Sequence, residues 1–220
     1  MMEPNYTRAA SLALITLNTN HITATPVSPL PILKNIPGVL VLSFESVAGE
    51  LGMDRRCVMD MFGEKNQDAF TSVSIADGKT RYLVTYNQHL PSNLVQRALA
   101  RELGHIILGH DGSLPEDIRN EEARCFAHHL LVPRPLIHSL QASGLRITVE
   151  ALGSITGCYD YCLSCMRKQP PVHVDPVLNR AVRDQFMPYI HNYFEFQRYA
   201  SHHDSSALAD FGSYMEGYEE

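Results

Sequence analysis

Apolar positions along this chain recur at helical spacing in most segments and with shorter, strand-like patterning in a few, and the changes mark out the elements. Residues 7–18 predict a first helix. Thr23–Gly38, "TATPVSPLPILKNIPG", is rich in proline and reads as an extended connector. Val39–Phe44, "VLVLSF", is a short apolar run with β-branched content, hence a strand. Ser46 and Asp54 then offer caps to two short helices, "VAGELG" and "RRCVMDMF". From Ala69 to Asn87, Phe70, Val73 and Ile75 precede an Asp77-Gly78 turn, and Tyr82, Val84 and Tyr86 follow it. This is the strongest hairpin signal in the chain.

Beyond the hairpin the pattern is helical. Pro91 and Ser92 open a long helix to about Gly109, with Leu94, Ala98, Leu99, Leu103, Ile106 and Ile107 on its core face. A further helix runs from about Pro115 to Leu131 and stops at "VPRP". "RPLIHSLQASG" and "TVEALGSITG" predict two short helices closed by glycine, and "CYDYCLSCMRK" one more. After "QPPVHVDP", Val177–Gln197 reads as an amphipathic helix kinked near Pro188, and the polar tail that follows as loose. The sum is an α+β fold, with a small antiparallel sheet ahead of the long helix and a helix-turn-helix-like region after it.

Composition narrows the function classes. The chain has 220 residues, 45% hydrophobic and 19% charged, with a net charge of −6. That is ordinary globular composition, and no basic block supplies the footprint of a direct nucleic-acid binder. No apolar run approaches the roughly 20 residues of a membrane span. The apolar run after Arg8 lacks the basic start and small-residue cleavage site of a signal peptide, so the expected location is the cytoplasm. Five cysteines, an odd number, fit reduced thiols. Three of them, Cys158, Cys162 and Cys165, have the C-x3-C-x2-C spacing of radical-SAM cluster ligands. Their i, i+4, i+7 repeat fits the packed face of a helix better.

The chemistry concentrates in "RELGHIILGH", Arg101–His110. In H-E-x-x-H two histidines one turn apart clasp a zinc, and the glutamate between them polarises the bound water. Glu102 and His105 fill two of these roles, Glu102 as general base if the site is active and His105 as ligand if a metal binds. Arg101 cannot fill the third, because a guanidinium is always charged and offers no lone pair.

"RELGHIILGH" resembles "HELGHxxLGH", the active-site helix of ImmA/IrrE-family metallopeptidases, whose fold is zincin-like. "NEEARCFAHHLLVP", Asn120–Pro133, resembles that family's second motif, E-x-E-A-N-x-F-A-x-x-L-L-x-P, and the strand "RYLVTYN" before the helix fits its layout. The resemblance covers about residues 30–168. It implies a metallopeptidase-like domain over residues 1–168, followed by a C-terminal helix at 169–200 and a tail at 201–220. It also implies that the opening glutamate of the second motif, the family's third ligand, is replaced by Asn120, and the motif's asparagine by Arg124.

Two readings follow. In one, two of three ligands are lost, Arg101 and Arg124 offset Glu102 electrostatically, and no cofactor is expected. The chain then acts by binding a protein partner. The resemblance implies a helix-turn-helix repressor of stress-response or mobile-element genes, held rather than cut. In the other, an active zinc endopeptidase cleaves such a repressor with a rearranged site that recruits Glu121, His110 or His128. Asp111 and His129 also lie near in sequence. His110, five residues after His105, would point well round a continuing helix, and Glu121 sits about 100° from the expected ligand position. The first reading further places Arg101 against Asn120 or Glu121, and Glu102 toward Arg124 or water.

Overall fold

The computed structural model describes residues 3–62, 68–158 and 172–202. The order is α1 (Tyr6–Thr19), α2 (Pro29–Asn35), β1 (Val39–Ser43), α3 (Phe44–Leu51), α4 (Arg55–Phe62), β2 (Ala69–Ala76) and β3 (Lys79–Tyr86). Then come α5 (Ser92–Ile107), α6 (Glu116–Leu131), α7 (Arg134–Ala142), α8 (Val149–Thr156) and α9 (Pro176–His202). The α+β class expected from the sequence is the one observed. "CYDYCLSCMRK" lies outside the described residues apart from its first cysteine, as do Cys162, Cys165 and the tail from residue 203.

The hairpin forms where the pattern places it. Asp77 and Gly78 both adopt positive φ, +53° and +70°, so Ala76 pairs directly with Lys79 across a two-residue turn. Such a turn twists with the strands it joins. The sheet is larger than a hairpin, however. β1 lies parallel to β3, from Val39 opposite Tyr82 to Ser43 opposite Tyr86, giving the order β1-β3-β2.

Two local differences from the sequence reading have simple causes. The proline-rich stretch contains a helix, α2, because Pro29 stands at its start, where a missing N–H costs nothing. The third helix begins at Phe44, and its cap is Ser43, whose hydroxyl accepts from the Ser46 N–H at 3.0 Å. The last helix spans Pro176–His202, with Pro188 inside it.

One main core joins α1, α2, α5, α6, α7, α8 and α9 to the sheet. A satellite cluster of Phe44, Val47, Ala48 and Val58 ties α3 to α4. The apolar run near the start is core: Ala9, Ala10, Ala13, Leu14 and Leu17 are buried in α1, which packs on α6. With α5 on its other side, α6 buries Ala123, Cys125, Phe126, Ala127, Leu130 and Leu131. No described helix is long and apolar enough to cross a membrane.

Gly104 sets how closely α5 and α6 approach. A Cβ there would stand 3.1 Å from Phe126 Cδ1 and 3.2 Å from both the Cα and the carbonyl oxygen of Ala123. Backbone cannot yield as a side-chain tip can, so a larger residue must push the helices apart. Gly104→Val is expected to destabilise the chain by about 2–3 kcal/mol, since overpacking typically costs this much. Urea unfolding measures it, and a loss under 0.5 kcal/mol would show that the two helices slide freely.

Candidate functional site

α5 brings Glu102 and His105 to a cleft of about 330 Å3 between the sheet and the start of α6. Thr71 of β2, Arg101, His110, Arg119 and Asn120 line it too. Glu102 is buried, and one carboxylate oxygen accepts from the Thr71 hydroxyl at 2.7 Å. Burial raises its pKa above the ordinary value, while the Thr71 hydrogen bond and the adjacent Arg101 charge pull it partly back. Thr71 was not foreseen, because only the hairpin register brings β2 to α5.

The histidines meet through the end of α5. The Gly109 N–H donates to the Ile106 carbonyl at 3.1 Å and the His110 N–H to the His105 carbonyl at 3.0 Å, with Gly109 at φ +67°. This is a Schellman closure, which folds the chain back over the last turn. The expectation that His110 points away assumed a continuing helix. Because the helix stops, His110 Nδ1 lies 2.9 Å from His105 Nδ1.

A buried relay continues from there. His110 Nε2 is 3.0 Å from Glu122 Oε2, and the Asn5 backbone N–H donates to Glu122 Oε1 at 2.7 Å. Glu122 is only 3% exposed, so this polar chain ties the start of α1 and the end of α5 to α6 without water. The sequence carried a trace of it: the second glutamate of the E-x-E-A pattern falls at Glu122.

Asp111 also lines the cleft, whereas Arg124, Glu121 and His128 go elsewhere. Arg124 does not line the cleft but pairs with Glu121 one turn back on α6, both half-exposed, so neither reaches Glu102 or His105. The Glu102–Arg124 contact is therefore absent: Glu102 already has Thr71, and the guanidinium of Arg124 finds a carboxylate on its own helix. His128 is fully buried among core residues of α6, its ring edge-to-face with His129, and lines no part of the cleft. Arg101 and Asn120 do line the same cleft, with no hydrogen bond between them among the described residues. The second cation of the cleft is Arg119, whose Nε donates to the Leu114 carbonyl at 3.1 Å.

The electrostatics oppose a further positive charge. Burial, His110, Arg101 and Arg119 together hold the His105 pKa down to about 3, so its imidazole is neutral. Its Nδ1 is engaged by His110, so Nε2 is the ring nitrogen with no hydrogen bond among the described residues. A zinc centre needs three protein ligands or more. Position 101 offers a guanidinium and position 120 an amide, while both ring nitrogens of His110 are engaged. No group of three His, Cys, Asp or Glu side chains stands at ligating spacing among the described residues. The side chains present therefore do not fit a three-ligand zinc, although Glu102, Asp111 and Glu116 set three carboxylates in the cleft against the two guanidiniums.

Glu102 and His105 thus stand three residues apart on α5, backed by a small mixed sheet and by α6. Residues 59–154 match the family model Peptidase_M78, the IrrE N-terminal-like domain, so this part of the chain is similar to the ImmA/IrrE-type metallopeptidases. That family is typically zinc-dependent. Comparison with curated proteins and with solved structures gives no match.

Proposed function

We propose that this chain is a catalytically degenerate member of the family, one that works by holding a protein partner rather than cutting it. The observation that carries this reading is the donor set. Arg101 and Asn120, which the motif resemblance sets at the positions of two family ligands, line the cleft that holds Glu102 and His105. A water nucleophile then lacks the cation that would lower its pKa.

The surface beside the cleft suits a protein partner. β2 is an edge strand, and its Val73 and Ile75 are exposed, at 49% and 79%. An unpaired edge can take an extended segment by main-chain hydrogen bonds. The partner of this reading is a helix-turn-helix repressor, held away from its operator.

Mixing purified chain with a repressor encoded beside its gene distinguishes holding from cleavage. Operator release should rise with the chain in stoichiometric proportion, with the repressor intact on a gel. It should persist in EDTA and in Glu102→Gln. Sub-stoichiometric release with repressor fragments, abolished by either treatment, would instead establish the second reading, an active zinc endopeptidase.

A further inference from the structure

A second cavity, of about 450 Å3, lies on the far part of α6, away from the cleft. Its walls come from the start of α7, from Val172–Val174 and from the first turns of α9, with Leu14 and His129 also lining it. In a chain of net charge −6, this cavity is lined by Arg134, Arg180 and Arg183 and, among the described residues, by no carboxylate. His138 and His173, both exposed, add further nitrogen donors.

The cations are largely uncommitted. Arg183 is neutralised in part by Asp184, at 2.8 Å. Asp175 spends one oxygen on the Val177 N–H at 2.7 Å. Arg134 and Arg180 make no hydrogen bond or ion pair among the described residues. Arg134 is also the first residue of α7, whose N-cap, Pro133, supplies no side-chain acceptor. The Arg134 N–H and the positive dipole end of that helix therefore add to the guanidinium field, Pro135 having no N–H to offer.

His129 gives the cavity a second kind of contact. It is 1% exposed, and its Nδ1 lies 2.9 Å from the Cys125 carbonyl, which can only accept, so Nδ1 carries the proton. Burial and Arg134 lower its pKa to about 4, so the ring is neutral. Nε2 then presents a buried lone pair, with no hydrogen-bond partner among the described residues. A buried acceptor left unmet is costly, and a ligand donor meets it.

We propose that this cavity binds a small phosphate monoester bearing a hydroxyl, its phosphate on Arg134 and Arg180 and its hydroxyl donating to His129 Nε2. Guanidinium forks and a helix N-terminus match a phosphate dianion. A bare anion leaves the buried lone pair unmet, and a polyanion lying across the rim would not reach it. Sugar phosphates and nucleoside monophosphates share this chemistry, and the volume falls within the range of small-molecule sites.

Calorimetric titration of the full chain with ribose 5-phosphate, adenosine 5′-monophosphate, inorganic phosphate and ribose tests it. At least one of the two esters should bind saturably, at least about tenfold tighter than inorganic phosphate, and ribose should not bind. Which ester wins identifies the source. Arg180→Ala, at an exposed position, should weaken that binding about tenfold, the usual scale for a charge-assisted hydrogen bond. Because His129 is buried and its replacement can disturb folding, its role is read in the unmodified chain: its Nε2 nitrogen resonance should shift on adding the ester. The proposal is overturned if neither ester binds, if inorganic phosphate binds as tightly, if Arg180→Ala has no effect, if the resonance stays still, or if duplex DNA competes better than either ester.

Discussion

Arg101→His combined with Asn120→Glu should turn the cleft into a zinc site of micromolar affinity or better. Both positions line the cavity that holds His105, so the new imidazole, the new carboxylate and the open Nε2 of His105 face one space. The change also removes one of the cleft's two guanidiniums. Three protein ligands suffice for a firm zinc centre, whereas two rarely do. Each single substitution should therefore bind at least about a hundredfold more weakly. Competition against a chromogenic chelator reads the affinities. A double variant that folds as well as the parent and gains nothing would mean that Asn120 is not the register position of the family's third ligand.

The second large effect is expected at Glu122. Its two oxygens accept from the Asn5 N–H and from His110, deep between α1, α5 and α6. Glu122→Ala strands both donors where water cannot replace the carboxylate. Each buried donor left unmet costs about 1–3 kcal/mol, so a loss of about 3 kcal/mol is expected. That is a large fraction of a typical domain's net stability. Glu122→Gln keeps one acceptor oxygen and should lose less. Urea midpoints measure both, and a cost below 1 kcal/mol for the alanine variant would show that the relay is not what fastens α1 to α6.

Much of this architecture was legible beforehand, for reasons that differ by element. The hairpin was legible because Asp77-Gly78 can take two positive φ angles that few pairs tolerate. α5 and α6 were legible from apolar periodicity, which reports burial directly. The parallel pairing of β1 with β3 was not, because a short apolar run carries no record of its neighbour. The site shows the same division. Arg101, Glu102, His105 and Asn120 share the cleft, as the helical spacing and the motif register led one to expect. The relay through His110 and Glu122 was missed because it depends on where α5 ends. One glycine in the left-handed conformation turns His110 back by a turn, and periodicity extrapolated through it points the ring elsewhere. Arg124 was misplaced because spacing sets a helix face but not which acid a long side chain reaches. Glu121, three residues earlier, was the nearer choice.

The proposed loss of a catalytic zinc from this cleft can be checked by elemental analysis of the chain purified without chelators. The donor set predicts far less than one equivalent of zinc per chain, unchanged after incubation with added zinc and desalting. About one tightly held zinc per chain would contradict it, and would mean that His105 recruits ligands the arrangement described here does not offer.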